Sequence, residues 1–211
     1  MAPHRRMRIC FSGTVGPDAV SFNALIDLDK KFLARNYGNV WHVCLYLRQK
    51  GGMRMSTLTI YYSYSGNTKR IAQKIHTKIG GDLAEIVPLE PYPDDYDKVV
   101  LQGRQEVNQR NKLEILPLNV DLSGYDRILL GTPVWWYTFA PAVRTFLSQY
   151  DLSGKTVFPF VTHGGWIGHT EKDIQSACAG ASVERALSVQ MNGSNLFTPE
   201  GKIDHWISKL Q

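Results

Sequence analysis

The sequence has few cysteines and no long apolar run. Only Cys10, Cys44 and Cys178 occur in 211 residues. They are too few for a disulfide scaffold, and their spacing matches no metal-binding motif. We therefore predict no metal site and a reducing, cytoplasmic location. No stretch approaches the roughly 20 apolar residues that cross a bilayer, so we predict no membrane segment.

Two glycine-rich signatures of nucleotide binding are also missing. The sequence contains no G-x-x-x-x-G-K-[ST] motif, and no G-x-G-x-x-G follows an apolar strand. The sequence therefore does not support binding of a nucleoside triphosphate. It also does not support binding of a dinucleotide through the usual fingerprint.

Excess positive charge is confined to the first quarter of the chain. The formal net charge is +5, with 24 Lys/Arg and 19 Asp/Glu. Residues 1–54 contain nine Lys/Arg and three Asp/Glu. Residues 55–211 therefore contain 15 Lys/Arg (24 − 9) and 16 Asp/Glu (19 − 3). That larger part has a net charge of −1 and no basic run, so we predict no nucleic-acid partner.

Residues 1–54 differ from the remainder, because their short apolar stretches lack turns that would pair them. The stretch "KGGMRM" can be encoded by a purine-rich ribosome-binding site followed by a start codon. Our hypothesis is that translation starts at Met53 or Met55 and that residues 1–54 are upstream sequence. A genuine but poorly ordered extension is the alternative. In either case the folded domain is predicted to be 55–211.

From residue 57 onward, short apolar runs alternate with amphipathic runs. This alternation predicts an α/β fold with a doubly wound, five-stranded parallel sheet of order 2-1-3-4-5 and helices on both faces. The predicted strands lie in 57–63, 82–89, 126–136, 155–165 and 181–190. The third of these segments runs into a Gly/Pro turn, and the fourth enters a glycine-rich loop. The predicted helices are 67–79, 91–112, 140–150, 170–180 and 198–210.

Ligands of such folds bind outside the carboxyl ends of the strands. The loop after the first strand joins it to a helix, whose free amides and dipole attract an anion. Hydroxyl and amide side chains surround those amides, and a terminal phosphate fits them better than a triphosphate. An ordinary helix cap is the alternative. The predicted ligands are Ser63, Tyr64, Ser65, Gly66, Asn67 and Thr68.

The loop after the third strand carries two tryptophans, which can bury a planar ring by stacking. Thr132 and Pro133 are predicted to form a rigid turn before them, and the alternative places the pair in the core or a dimer contact. The candidate residues are Thr132, Pro133, Val134, Trp135 and Trp136.

The loop after the fourth strand is rich in glycine, which lets backbone amides approach a ring closely. Its two histidines are either ligand-loop residues or ordinary structural ones. The candidates here are Thr162, His163, Gly164, Gly165 and His169.

Taken together, "YYSYSGNTKRIA", "EPYPDDYD", "LLGTPVWW", "SGKTVFPFVTHGG" and "EKDI" resemble the short-chain flavodoxin-like FMN proteins. The narrower resemblance is to their NAD(P)H-dependent reductase branch, and it covers residues 57–210. It implies noncovalent FMN, with the phosphate at Ser63–Thr68 and the isoalloxazine between Thr132–Trp136 and Thr162–Gly165. Tyr137 stands where that branch often has a small residue, Thr132 where it often has Tyr, and Trp166 and His169 are atypical.

The resemblance implies an FMN-dependent oxidoreductase in which NAD(P)H reduces the flavin and a quinone or other small acceptor reoxidises it. His163 or Tyr137 would assist any proton transfer. Two alternatives stay open: an electron carrier serving partner proteins, and a flavin-free binding module. A homodimer is a family-level expectation.

Overall fold

The computed structural model describes residues 56–93 and 95–211. The predicted N-terminal segment, 1–54, and the hypothesis about its origin lie outside the described residues. The domain boundary at residue 55 therefore stays a prediction.

Five helices and eight strands make up the described part of the chain. The strands are β1 (Thr57–Tyr61), β2 (Asp82–Glu85), β3 (Arg127–Trp135), β4 (Thr138–Phe139), β5 (Thr156–His163), β6 (Ser182–Val183), β7 (Leu187–Asn192) and β8 (Asn195–Leu196). The helices are α1 (Asn67–Ile79), α2 (Tyr96–Asn108), α3 (Pro141–Gln149), α4 (Thr170–Ala177) and α5 (Glu200–Ser208), with one 3-10 turn at Leu122–Gly124.

The sheet has the order β2-β1-β3-β5-β7-β8. Its first four pairings are parallel, which confirms the predicted order 2-1-3-4-5. The short strands β4 and β8 add antiparallel pairs to β3 and β7. The strand count is therefore eight rather than five, because hairpins extend two of the predicted strands and the last predicted strand is interrupted.

That interruption lies between β6 and β7. The amide of Glu184 still donates to Val157 O at 2.9 Å. The amide of Ala186 instead donates to Glu171 Oε1 on α4, at 2.8 Å. A side-chain acceptor thus replaces the strand ladder at this point, which a strand prediction from sequence does not anticipate.

The segment 91–112, predicted to begin with Pro and Asp in turn positions and then to become a helix, is helical from Tyr96 to Asn108. Asp95 caps it, because its Oδ1 accepts hydrogen bonds from the amides of Asp97 at 3.0 Å and Lys98 at 3.2 Å. A β-region cap with two such bonds fixes the helix start at Tyr96.

Helices cover both faces of the sheet. On one face α1 and α5 contribute Ile75 and Ile203 to a core that includes Phe160. On the other face α2, α3 and α4 bury residues that include Phe146 and Ile174. Because both faces are buried, the central strands are mostly apolar, as expected for a parallel sheet.

Gly131 in β3 gives a test of this packing. A Cβ at Gly131 would collide with the ring of Phe160 and lie 2.7 Å from Tyr61 Cβ. We expect Gly131→Ala to lower the free energy of unfolding by about 1–3 kcal/mol, the usual cost of overpacking. Denaturant titration of the full chain measures it. Gly124→Ala is the control, because a Cβ there meets no atom within 4 Å; equal stability of the two variants would contradict the packing described.

Candidate functional site

Three loops meet at the carboxyl ends of β1, β3 and β5. The hydroxyls of Thr68 and Thr162 lie 2.8 Å apart and are buried, which joins the first loop to the end of β5. The amide of His169 donates to Tyr137 O at 2.8 Å, which joins the loop after β5 to the turn after β3. The predicted site residues are thus brought together at one edge of the sheet.

The first loop presents an uncapped helix end. Gly66, with φ of 83°, precedes α1 and supplies no side-chain cap. Ser63 Oγ accepts from the amide of Lys69 at 3.2 Å. The amides of Asn67 and Thr68, at the start of α1, have no intrahelical acceptor, as at any helix N-terminus. This loop therefore offers backbone donors and a helix dipole to an anion.

The basic residues that follow the loop have partners elsewhere. Lys69 Nζ lies 2.9 Å from Glu85 Oε2, and Arg70 donates through Nη1 to Ser194 O at 2.7 Å. The side-chain amide of Asn67 donates to Gly193 O at 2.8 Å. Asn67 and Arg70 thus tie α1 to the turn between β7 and β8. An anion in the first loop is left to amides and hydroxyls.

Glycines around the site divide into two groups. A Cβ added at Gly66, Gly164 or Gly165 meets no atom within 4 Å. A Cβ at Gly168, in contrast, would lie 2.5 Å from Tyr137 O. Packing within the protein accounts for Gly168 but not for Gly164 and Gly165. The space above these two glycines and above Gly66 is open to a ligand.

The structure corrects the predicted turn at Thr132 and Pro133. Both residues belong to β3, where Thr132 is paired with Val161 and Pro133 with Thr162. Thr132 Oγ1 accepts from the amide of Ala140 at 3.1 Å, across the base of the β3–β4 hairpin. Pro133 lies beyond the residues of β3 that pair with β1, which end at Gly131.

The turn instead lies at Trp136 and Tyr137, between the paired residues Trp135 and Thr138. Both have left-handed backbones, with φ of 45° and 69°. Two-residue hairpin turns of this kind normally use Asn or Gly, because larger residues are strained there. Strain of this type persists where surrounding contacts enforce it, often at functional sites.

Trp135 does not present an open ring face at the mouth, contrary to the expectation. It is 9% exposed and belongs to the core. The rings of Tyr62, Tyr64 and Tyr92 contact it edge-on, with centroids 4.9–6.1 Å away. The sequence analysis predicted Tyr64 as a ligand and gave Tyr62 and Tyr92 no role in the site, whereas all three rings surround Trp135.

Trp136 packs beside Trp135 against α2. A Cβ at Gly103 would lie 2.7 Å from Trp136 Cζ3 and 3.0 Å from Trp135 Cε3. The two indoles and Val134 also line a cleft of about 400 Å³ between the first loop and α2. This pair therefore forms a wall of the site and a contact with α2.

The exposed aromatic pair at the mouth consists of Tyr137 and Trp166. Their ring centroids are 5.0 Å apart at an angle of 55°. Tyr137 is 53% exposed and Trp166 69% exposed, although both are large and apolar. Spacing along the chain did not reveal this pair, since the two residues come from different loops.

His163 ends β5 and is half-buried. Its Nε2 lies 2.8 Å from Ser188 Oγ on β7. Its Nδ1 is buried and has no hydrogen-bond partner among the described residues. Burial, and secondarily the positive charge of Lys202, lower the pKa of His163 below its ordinary value. The imidazole is therefore neutral at neutral pH, with one nitrogen unpartnered.

His169 precedes α4 and is exposed. Its Nδ1 lies 2.5 Å from Asp173 Oδ2, and the same carboxylate oxygen accepts from Thr138 Oγ1. Asp173 thus connects the β3–β4 hairpin to the loop after β5. The sequence interpretation missed Asp173; the four-residue spacing from His169 was the available signal.

Two further observations concern residues 56–93 and 95–211. Within these ranges no group of three or more His, Cys, Asp or Glu residues is arranged to hold a metal ion. No helix within them is both long and apolar enough to cross a membrane.

Comparison with known proteins assigns the family. A sequence profile of the flavodoxin family matches residues 56–210. The chain therefore belongs to the flavodoxin family. A search of curated protein sequences found no match.

Solved structures agree with this assignment. A protein from Bacteroides eggerthii, described as a flavoprotein, is 28% identical, with a TM-score of 0.63 over 73% of this chain and 96% of its own. A flavoprotein from Lactobacillus acidophilus, solved in complex with FMN, is 27% identical, with a TM-score of 0.59 over 72% of this chain and 98% of its own. Trp repressor binding protein from Bacillus subtilis, at 14% identity and a TM-score of 0.50, shares the fold.

The environment of His163 gives a pH prediction. We expect its NMR titration midpoint to lie below the ordinary value of 6.5. Between the lowered pKa of folded His163 and the ordinary value of 6.5, the unfolded chain binds more protons than the folded one. The contribution of His163 to stability is therefore lost as the pH falls below about 6.5. Lys202→Gln removes a nearby positive charge and should raise the pKa of His163. Lys172→Gln is the charge-matched control, and an equal shift in both variants would contradict the assignment.

Proposed function

We propose that the protein is an FMN-dependent oxidoreductase that transfers electrons from NAD(P)H to a quinone or another small acceptor. Membership of the flavodoxin family supports FMN as the cofactor, and so does the 27% identical Lactobacillus acidophilus flavoprotein in complex with FMN. When bound, FMN supplies the hydride and electron chemistry, and the protein supplies binding, orientation and electrostatics.

The first loop fits the phosphate of FMN. The start of α1 has no side-chain cap, and Gly66 lets the backbone approach. The donors would be the hydroxyls of Ser63 and Ser65 and the backbone amides of the first turn, including that of Asn67. Since Lys69 is paired with Glu85, the phosphate is held without a lysine.

The flavin ring system would lie beside Gly164 and Gly165, where an added Cβ would meet no atom within 4 Å. Thr162 anchors this loop to the first loop through Thr68, so phosphate and ring sites are held in register. Backbone amides of the glycine loop, and the neutral imidazole of His163, would stabilise the electron-rich reduced ring. The unpartnered Nδ1 of His163 is our candidate for proton transfer, with the exposed hydroxyl of Tyr137 as the second.

The Tyr137–Trp166 pair is the observation that favours a small planar acceptor over a partner protein. Two large aromatic rings remain over half exposed at the mouth, on a strained turn packed against Gly168. Such rings bind a planar molecule by stacking. Docking of a carrier protein usually uses a strongly charged face instead, and residues 55–211 have a net charge of only −1.

Ser65→Asp tests the phosphate site. A carboxylate in the first loop repels the phosphate and should weaken FMN binding about tenfold or more. The same carboxylate favours the helix dipole, so the stability of the flavin-free protein should not fall. Flavin fluorescence quenching measures the affinity. Ser65→Asn is the neutral control, and riboflavin, which lacks the phosphate, should bind Ser65→Asp and wild type about equally.

An equal loss of riboflavin and FMN affinity in Ser65→Asp would contradict the phosphate assignment. Failure of the wild-type chain to bind FMN at all would overturn the proposed function.

Trp166→Ala tests the acceptor. In the FMN-loaded protein with NADPH or NADH, we expect kcat/KM for a small quinone to fall about threefold to tenfold, mainly through KM, because one stacking contact is lost. Reduction of ferricyanide, which has no planar ring to stack, should be unchanged. Phe197→Ala is the matched control, since Phe197 is 62% exposed and lies outside the three loops.

Equal loss of quinone and ferricyanide reduction in Trp166→Ala would contradict an acceptor site at the pair. No turnover with either nicotinamide, in a protein that binds FMN, would favour the electron-carrier alternative.

A further inference from the structure

A cleft lies away from the three loops, along helix α5 and beside β5 and β7. Its volume is about 550 Å³. Aromatic and basic side chains predominate in its lining: Phe158, Arg185, Lys202, His205, Trp206 and Lys209. Glu184 is the acidic residue of this lining. We call this feature the α5 cleft.

Helix α5 separates its charges between two sides. Its acidic residues face α1, where Glu200 pairs with Lys74 at 2.8 Å and Asp204 pairs with Lys78 at 3.0 Å. Asp204 also lies 3.2 Å from Lys74. The basic residues of the helix lie on the side of the cleft. The acids of α5 are therefore engaged and do not neutralise the cleft.

The cations of the cleft have no carboxylate partner. Within residues 56–93 and 95–211, no Asp or Glu lies within 4.0 Å of the charged nitrogens of Arg185, Lys202 or Lys209. All three side chains are exposed. Like charges gathered in a concave site attract an anion, because the low-dielectric walls focus the field.

The cleft also has an apolar wall. Phe158 and Trp206 are half-buried and pack against the core on the α1–α5 face. Lys202 lies in α5 and Lys209 directly follows its last residue, so the two are seven residues apart, or about 10 Å along the helix axis. A ring system of two or three fused rings fits beside Trp206 within that span, with an acidic group reaching one of the lysines.

We propose that the α5 cleft binds a small organic anion with a planar apolar body, such as an aromatic carboxylate, sulfonate or phosphate. The volume lies in the range of small-molecule sites, which combine apolar walls with a few placed charges. A nucleic acid would need a longer basic stripe than one helix face provides.

A single residue, Ser188, connects the α5 cleft to the candidate redox site. Ser188 lines the cleft, and its Oγ lies 2.8 Å from His163 Nε2. An anion beside Lys202 would offset the positive charge that acts on His163. Occupancy of the cleft is therefore expected to raise the pKa of His163, and this gives a second readout that is independent of affinity.

The test titrates naphthalene-2-sulfonate into the full chain, with and without FMN, using calorimetry and backbone NMR. The neutral analogue naphthalene-2-sulfonamide is the ligand control. We expect the sulfonate to bind more tightly than the sulfonamide and to shift amides in 184–188 and 202–209. Added salt should weaken the binding of the sulfonate but not that of the sulfonamide, because salt screens the attraction between charges.

The double variant Lys202→Gln/Lys209→Gln should lower the affinity for the sulfonate about tenfold or more, because charge-assisted bonds are lost. Lys112→Gln/Lys172→Gln is the control with the same loss of charge at exposed lysines outside the cleft. Both doubles replace exposed side chains, and thermal unfolding checks that they remain folded. Trp206→Leu, which keeps the cations, should weaken both ligands.

The proposal would be overturned by no binding of the sulfonate, by equal binding of sulfonate and sulfonamide, or by an equal loss of affinity in the two lysine double variants. Binding with amide shifts confined to the three loops would also overturn it, because the ligand would then occupy the candidate redox site. Each measurement is made with and without FMN, so none of these outcomes decides whether the protein binds FMN.

Discussion

Parallel pairing of β1, β3 and β5 is the constraint on which the candidate site depends. Because these strands run in one direction and are neighbours, the loops that follow them leave the sheet at the same edge. The buried bond between the hydroxyls of Thr68 and Thr162 then fixes the first loop against the end of β5. The groups that we propose for binding the phosphate and the ring are thereby positioned by the core of the fold.

Rigidity and openness are combined at this edge. Asp173 and the amide of His169 hold the β3–β4 hairpin against the loop after β5, and Gly168 packs against Tyr137. These contacts enforce a left-handed turn and keep two aromatic rings exposed, each of which is unfavourable alone. Gly164 and Gly165, in contrast, face empty space.

The distribution of charge distinguishes the two candidate binding sites. In the first loop the neighbouring cations are paired elsewhere, so the anion site relies on backbone amides and the dipole of α1. Along α5 the opposite holds, because the acids are paired with α1 and the cations are left in the cleft. His163 lies between the two, in contact with Ser188 of the cleft lining. The shared imidazole links them electrostatically.

The α/β class, the strand order and the three loops could be predicted from the sequence, because hydrophobic periodicity and strand-to-helix turns are local signals. Which side chains those loops expose depends on contacts between distant segments. Trp135 turned inward because tyrosines from two other segments surround it. The exposed pair became Tyr137 and Trp166, which only the fold brings within 5.0 Å. The break after β6 and the unpaired cations of α5 also depend on side chains distant along the chain, and no local pattern encodes such contacts.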